Sequence, residues 1–175
     1  HTRDLVSSLI KADKYDIQII SLPWGVCPMD ALEANNKEHL EIAKRIATGA
    51  ITKQPDIFIQ VSVPNEFGIG PDGKPFKAGK YNIGVTAGIE TTAVSSEFLE
   101  GCNRMDLIIT TSEHSKKGFV DSVFDKIDSK TKQKIGTLKL EKPIEVLFEG
   151  ADENIYRSLN EDDINSTILN YINDK

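Results

Sequence analysis

Helical and strand-like apolar patterns alternate along the chain. Residues 4–12 space their apolar side chains at a helical period, and the following segment, 15–23, is rich in β-branched residues and closed by a proline. The same alternation continues downstream. It predicts helices at 4–12, from about 30 to 50, after Ser95 or Ser96 and after Ser112, and strands at 15–23, 55–63, from 81 onward, at 106–112 and at 143–152.

Local signals set the limits of two of these helices. Asp30 and Glu33 have the spacing of a capping box, so the long second helix is predicted to begin near Asp30. The helix that Ser112 caps carries its apolar residues at Phe119, Val123 and Ile127, which extends the predicted helix through residue 127.

The order of the elements indicates the fold class. In residues 55–63 the apolar side chains run almost without interruption, which is typical of a strand covered on both faces. A long loop rich in Gly, Pro and Lys follows at 64–80, and the acidic tail from 154 has the spacing of a short amphipathic helix. Helices that alternate with such strands predict an α/β, Rossmann-like fold: a mostly parallel sheet with helices on both faces. Ligands bind such sheets beyond the carboxyl ends of the strands.

Composition and charge narrow the functional classes. The chain has 175 residues, a hydrophobic fraction of 39% and a formal net charge of -6, which suits one globular domain and argues against non-specific binding to nucleic acid or anionic membranes. The two cysteines, Cys27 and Cys102, are not spaced as zinc ligands or as a disulfide framework. No apolar run is long enough to span a membrane and no secretory signal is evident at His1. We therefore expect a cytoplasmic protein whose natural chain begins before His1.

A polar patch follows the strand that starts near Tyr81. Its sequence, TAGIETT at 86–92, places Gly88 and Glu90 at the predicted carboxyl end of the strand. Glu90 fits two roles: it is either a hydrogen-bond acceptor or general base for a ligand hydroxyl, or a carboxylate that stabilises a helix N-terminus. The residues alone leave both interpretations open.

Two further strand exits carry polar side chains. Asn65 and Glu66 follow a strand that Pro64 ends, and the segment EGAD at 149–152 follows the last strand. Asn65 and Glu66 are candidates for the same ligand cleft, and a plain turn is the alternative. The lysines of the 64–80 loop are candidates for contact with an acceptor molecule, and a solvated cluster is the alternative.

The predicted helix start at Ser112 is the fourth polar exit. His114 faces either a ligand or solvent, since histidine takes many roles near neutral pH. The hydroxyls of Ser112 and Ser115, the free backbone N–H groups and the charge of Lys116 suit an anion. A capped helix with surface lysines explains the same residues without any ligand.

Four segments together resemble the N-terminal half of GT-B-type glycosyltransferases, in a bacterial and tailed-phage branch of the group 1 class. They are HTRDLVSSLIKADKYDIQIISLPWG, PDIFIQVSVPNEF, KYNIGVTAGIETTAVSSEFLEGCNRMDLIITTSEHSKKGF and PIEVLFEGADENIY. The third segment carries the most specific part, and the resemblance covers nearly the whole chain. It implies transfer of a sugar from a nucleotide-sugar donor to an acceptor hydroxyl.

The resemblance also implies a domain organisation. Residues 1–150 would be a Rossmann-like acceptor-side domain without its first strand, which is one half of a two-domain GT-B fold. Residues 151–175 would be an acidic interdomain segment with a short helix. The donor domain and its paired glutamates are absent from this sequence, so the fragment is expected to be inactive alone. Enzymes of this class usually work without a resident cofactor or metal, and the nucleotide-sugar is a co-substrate.

The resemblance places several residues in one cleft. Glu90 and Thr91 would face the gap between the two domains, and Glu113 and His114 would line the same gap from a helix start. Lys116 is included for its positive charge. The candidates for catalysis are Glu90 and His114, and no metal ligand is predicted. The candidates for substrate binding are Asn65, Glu66, Thr91, Ser112, Glu113 and Lys116. The implied partners are a nucleotide-sugar donor, held by the second domain, and a glycan or other hydroxyl-bearing acceptor.

Two alternative functions stay open. A non-catalytic Rossmann-like module would recognise a small ligand or a protein chain through the same edge of the sheet. A phage transferase that modifies DNA bases would bind DNA with a strong dependence on salt, and the net charge of -6 disfavours that reading for this domain alone.

Overall fold

The structure, a computed structural model, describes residues 2–22, 32–49, 53–88, 90–151, 153 and 156–158. The helices are α1 (Thr2–Lys11), α2 (Lys37–Ala43), α3 (Ser96–Arg104) and α4 (Glu113–Asp121). The strands are β1 (Ile57–Val61), β2 (Tyr81–Thr86), β3 (Leu107–Thr110), β4 (Phe124–Ile127), β5 (Lys134–Leu138) and β6 (Ile144–Val146), and a 3-10 turn spans Pro64–Glu66. No helix in the described ranges is long and apolar enough to cross a membrane.

Four strands form one parallel sheet in the order β1-β2-β3-β6. Ile59 of β1 pairs with Ile83 of β2, which pairs with Leu107 of β3, and Ile109 of β3 pairs with Glu145 of β6. The carboxyl ends of all four strands therefore lie along one edge, since the strands run in the same direction. A parallel sheet flanked by helices confirms the predicted Rossmann-like α/β class.

The core lies between one face of this sheet and the helices α3 and α4. Leu99 and Cys102 of α3 and Phe119 of α4 are fully buried, as expected for apolar residues on one face of each helix. They pack with Ile108 of β3 and Ile144 of β6. The complete cluster of buried residues is Phe67, Val94, Leu99, Cys102, Met105, Ile108, Phe119, Leu138 and Ile144.

Serine side chains cap the N-termini of both core helices, as predicted. The side chain of Ser95 accepts a hydrogen bond from the N–H of Phe98 at the start of α3. Ser112 does the same for the N–H of Ser115 at the start of α4. Each cap satisfies a backbone N–H that the helix itself cannot pair, which explains why the helices begin where they do.

The N-terminal part departs from the prediction in two ways. The long helix from 30 to 50 is wrong over the described residues, because α2 begins only after Asn36, whose side chain accepts bonds from the N–H groups of Glu38 and His39. The predicted strand at 15–23 is reduced to one parallel bridge, between Ile19 and Ile46. Asp30, the loop at 24–29 and the predicted tail helix after 154 lie outside the described residues, apart from 156–158.

The region after α4 contains a hairpin that the pattern did not predict. α4 ends at Asp121, and Ile127 belongs to β4, which pairs with β5 in an antiparallel hairpin. The Asp128 side chain makes the turn, since it accepts hydrogen bonds from the N–H groups of Lys130 and Thr131. The helical extension through Val123 and Ile127 is therefore wrong.

Two predicted strands differ in extent or burial. The strand predicted at 143–152 is regular only over Ile144–Val146. β1 is an edge strand of the described sheet, and its Ile57 and Ile59 are exposed, so the prediction that both faces of this strand are covered is wrong at these two positions.

Candidate functional site

The candidate site is the edge of the sheet at which the four parallel strands end, here called the rim. β1 runs into the Pro64–Glu66 turn, and β2 runs into the segment that contains Gly88 and Glu90. β3 leads to Ser112 and the start of α4, and β6 leads to residues 147–151. Since the strands are parallel, all four polar exits meet along one side of the molecule.

The side chain of Gln60 shapes the exit from β1. Its Nε2 donates to the carbonyl of Glu66 at 3.0 Å, and its Oε1 accepts from the N–H of Gly68 at 3.0 Å. Phe67, fully buried, packs on Gly84 of β2, where a Cβ would come within 2.5 Å of the ring. The turn is thus tied both to the strand that leads into it and to the neighbouring strand.

Helix α3 holds the same turn from the other side. The Arg104 guanidinium donates from Nε to the carbonyl of Phe67 at 2.6 Å and from Nη2 to the carbonyl of Asn65 at 2.7 Å. Gly101 lies against the carbonyl group of Pro64 with no room for a Cβ. The backbone of the turn is therefore fixed on both sides while the Asn65 side chain stays exposed.

The exits of β2 and β3 are joined through one carbonyl group. The carbonyl of Ala87 accepts hydrogen bonds from the hydroxyls of Ser115 at 2.9 Å and Thr111 at 3.3 Å. Gly88 has a φ of +80°, and a Cβ there would come within 2.7 Å of the Ser115 side chain. Glycine is required at 88 both by its conformation and by this close approach.

Several polar side chains in the first turn of α4 are already bonded to other groups of the protein. The Ser112 hydroxyl accepts from the N–H of Ser115 and pairs with the Ser115 hydroxyl at 3.1 Å. The Lys116 ammonium lies 3.7 Å from a carboxylate oxygen of Glu145 on β6. The cap explains Ser112 without a ligand, and the ion pair reduces the positive charge that Lys116 offers to an anion.

The structure locates each residue predicted for the site. Asn65, Glu90, Thr91, Glu113 and His114 are exposed, and Glu66, Ser112 and Lys116 are half-buried. The Thr91 hydroxyl donates to the carbonyl of Ala93 at 2.7 Å. No hydrogen bond or ion pair between described residues joins Glu90 to His114, so the joint action of this pair stays a prediction.

Three residues at the rim were not among those predicted. Gln60 is a buried amide inside an apolar strand, and an uncharged polar residue in such a run was the signal that could have found it. Arg104 acts through contacts that no local pattern reveals. Thr110, fully buried at the end of β3, has a hydroxyl with no hydrogen-bond partner in the described part of the chain.

The rim is rich in groups that hydrogen-bond to hydroxyls. Carboxylates and an amide are its main side chains, and these groups accept from, or exchange hydrogen bonds with, sugar-like hydroxyls. Within the described ranges no group of three or more His, Cys, Asp or Glu is arranged to hold a metal ion. A hollow of about 420 Å³ beside α2 is lined by residues that include His39 and Leu40, but by none of the predicted site residues.

Comparison with known proteins identifies no relative. No protein-family model matches the chain, and no curated protein or solved structure is significantly similar to it. The functional assignment therefore depends on the rim and on the sequence pattern alone.

Proposed function

We propose that the chain is the acceptor-binding part of a glycosyltransferase, which moves a sugar from a nucleotide-sugar donor to an acceptor hydroxyl. The observation that carries the proposal is the rim itself: four parallel strands whose exits bring Asn65, Glu90 and His114 to one edge. The resemblance of residues 80–119 to the acceptor-side half of such enzymes supports the same reading.

In this proposal the rim orients the acceptor and prepares its hydroxyl. Glu90 accepts the hydrogen bond of the attacking hydroxyl and takes its proton as general base. His114, on the neighbouring exit, hydrogen-bonds the same substrate from the side. In this proposal a second domain binds the donor, and the chain contributes mainly by orienting the acceptor. Holding a reactant in the correct orientation removes a large part of the barrier of a bimolecular reaction.

The test uses the protein encoded by the complete gene. It is incubated with a panel of nucleotide-sugars, with and without simple glycosides as acceptors, and release of the nucleoside diphosphate is measured. We expect release with one donor class and a decrease of roughly 100-fold in kcat for Glu90→Gln, which is typical for loss of a general base. No turnover with any donor would contradict the proposal.

Glu97 supplies a matched control for Glu90. It is an exposed carboxylate in the first turn of α3. Glu90 lies before the Ser95 cap and outside any helix, so the helix-terminal interpretation of Glu90 is wrong. Glu97→Gln is expected to leave turnover unchanged. Equal effects of the two substitutions would mean that Glu90 contributes no more to turnover than an ordinary surface carboxylate.

A second candidate function is a non-catalytic binding module. The observation that favours it is apolar surface at the rim: Leu147 and Phe148, which follow β6, are 54% and 80% exposed. Exposed apolar side chains that adjoin one another often mark a surface for another chain. This reading gains support if the complete protein turns over no donor but retains a stable partner chain on purification.

A further inference from the structure

The β4–β5 hairpin is anchored to the core through the end opposite its turn. Leu138 is buried in the core cluster, and Phe124, opposite it in register, packs against that cluster. The two strands form a sheet of their own, separate from the parallel one. Between residues 126 and 135 every residue except Asp128 is exposed. This segment, here called the hairpin tip, is therefore open to contact from outside.

Two isoleucines are neighbours at the hairpin tip. Phe124 faces the core, so the alternation of side chains along β4 directs Ile127 away from it. The pairing shifts by one residue after Lys126, which places both Lys134 and Ile135 opposite Ile127. The side chains of Ile127 and Ile135 are 51% and 68% exposed. Adjacent exposed apolar side chains of this kind often mark a docking surface.

The same segment carries a local excess of positive charge. Its lysines are Lys126, Lys130, Lys132 and Lys134, and its single acid is Asp128. The Asp128 carboxylate accepts hydrogen bonds from the N–H groups of Lys130 and Thr131, which close the turn. Lys134 pairs with Asp125 at 2.6 Å, and no described residue forms an ion pair with the other three lysines. The tip is thus a basic region on a chain whose net charge is -6.

We propose that the hairpin tip is a docking surface for a lipid membrane that contains anionic headgroups. The lysine ammonium groups lie at the level of the lipid phosphates, and Ile127 and Ile135 enter the boundary between headgroups and acyl chains. The stem of Lys126 already lies over Gly136, where a Cβ would be 3.9 Å from the lysine Cδ. Lysines at a membrane surface use their stems in this way, covering apolar groups while the charge stays in water.

The net charge of the whole chain does not oppose this docking mode. Attraction to a charged surface falls off within about 8–10 Å at physiological salt, so the charges next to the membrane decide it. With the tip facing the membrane, the acidic remainder of the chain faces solvent. The inference does not depend on the proposed function.

The composition of the tip favours lipid over other acidic partners. Nucleic acids are bound largely through arginine guanidinium groups and through aromatic rings that stack on bases. Residues 126–135 contain neither residue type, and a phosphate backbone offers no apolar surface to the two isoleucines. A protein partner is disfavoured because lysine is depleted at protein–protein interfaces.

The test measures co-sedimentation of the protein encoded by the complete gene with lipid vesicles. The vesicles contain phosphatidylcholine alone or phosphatidylcholine mixed with phosphatidylglycerol. We expect binding to the mixed vesicles only, and a loss of binding as salt is added, because salt screens the attraction. Equal binding to both kinds of vesicle, or no binding to the mixed vesicles at low salt, would overturn the proposal.

Two lysines of the turn test the charge of the tip. The double variant Lys130→Gln, Lys132→Gln should bind the mixed vesicles on the order of tenfold more weakly. The matched control is Lys74→Gln, Lys80→Gln, which changes the net charge of the chain by the same amount. Lys74 and Lys80 are exposed and lie 3.8 Å and 2.6 Å from the carboxylates of Asp72 and Asp56. Equal losses in the two double variants would overturn the assignment to the hairpin.

Ile135 tests the apolar part of the surface. Ile135→Thr keeps a β-branched residue in the strand and should weaken binding to the mixed vesicles roughly fivefold, since less apolar surface enters the lipid. Val120→Thr is the control, because Val120 is 51% exposed on α4, outside the hairpin tip. Its affinity should be unchanged. An Ile135→Thr protein that binds as tightly as the wild type would overturn insertion of the isoleucines.

Direct titrations with single-stranded DNA and with polyglutamate distinguish the other partner classes. A tighter Kd for either polymer than for the mixed vesicles, lost in the Lys130→Gln, Lys132→Gln variant, would overturn the assignment to lipid. Donor turnover is a separate measurement. Vesicle binding without donor turnover would support this inference and contradict the transferase proposal, and turnover without vesicle binding would do the reverse.

Discussion

Gly101 of α3 lies directly against the peptide group of Pro64. A Cβ atom at Gly101 would overlap the Pro64 carbonyl, because the helix and the turn after β1 are packed backbone to backbone. Three residues further along the helix, Arg104 bonds two more carbonyls of the same region. The helix and the turn are therefore packed as one unit, and we expect a change inside α3 to shift the turn.

The first prediction concerns this contact. Gly101→Ala should lower the free energy of unfolding by about 2–3 kcal/mol, since the added methyl group has to displace backbone rather than a flexible side chain. This outcome is opposite to the usual stabilisation of a helix by alanine. Urea denaturation at equilibrium measures the difference.

Gly118 is the matched control for Gly101. It is also a buried helical glycine, but a Cβ there would meet its nearest atom, the Thr91 carbonyl oxygen, at 3.8 Å. Gly118→Ala should therefore stabilise the protein by about 0.5–1 kcal/mol. A Gly101→Ala protein that is as stable as the Gly118→Ala protein would rule out the backbone contact with Pro64.

Local signals predicted the parts of the fold that local chemistry decides. The caps at Ser95 and Ser112 were correct because each hydroxyl satisfies an N–H only three residues away. The helix predicted to pass through Val123 and Ile127 was wrong because apolar residues four apart fit one face of a strand as well as one face of a helix, and here Ile127 ends β4 just before a turn. The Asp128 turn, not the spacing, decides between the two.

The site shows the same division between local and long-range chemistry. The polar strand exits were visible in the sequence, and the parallel sheet brings them to one edge as predicted. The bond from Arg104 to Asn65 joins residues 39 positions apart, so no periodicity or spacing could reveal it. Residues that hold a candidate side chain in place are for this reason harder to predict than the side chain itself.

The second prediction concerns the buried hydroxyl of Thr110. This hydroxyl is fully buried and lacks a hydrogen-bond partner among the described residues. Thr110→Val keeps the shape of the side chain and removes the unpaired polar group, so the free energy of unfolding should rise by about 1 kcal/mol. Thermal and urea denaturation both report this change.

Ser122 is the contrasting buried hydroxyl. It donates to the carbonyl of Gly118 at 2.7 Å and accepts from the N–H of Val94 at 2.9 Å. Ser122→Ala leaves the Val94 N–H without a partner and should cost about 2 kcal/mol. If Thr110→Val were destabilised as strongly as Ser122→Ala, the Thr110 hydroxyl would have a partner after all.

The third prediction is a pH dependence at Asp106. The side-chain amide of Asn82, its backbone N–H and the Lys77 ammonium hold the pKa of Asp106 below its usual range. A carboxyl group with a lowered folded-state pKa stabilises the protein above its unfolded value of about 4, and this contribution is lost as the pH falls through the folded value. Asp106→Asn should therefore be destabilised at neutral pH, and its difference from the wild type should shrink below pH about 4.

Asp56 is the exposed counterpart of Asp106. Its ion pair with Lys80 at 2.6 Å is open to solvent on both sides, so salt screens it. Asp56→Asn should change the free energy of unfolding little, and less still at high salt. An Asp106→Asn protein whose deficit stays constant down to strongly acid pH would exclude the carboxylate as the source of the effect.

The fourth prediction concerns the chemical inertness of Cys102. The thiol is fully buried in the core, and burial raises the pKa of Cys102 to about 12. In a Cys27→Ser variant, which leaves this single thiol, labelling by a maleimide at mildly alkaline pH should occur only after the core opens. The labelling rate should increase with urea in parallel with the unfolded fraction. In buffer without urea, the Gly101→Ala substitution should increase the labelling rate, because it destabilises the helix that carries Cys102. A rate equal to that of a small free thiol in the absence of urea would show that α3 does not seal Cys102 from solvent.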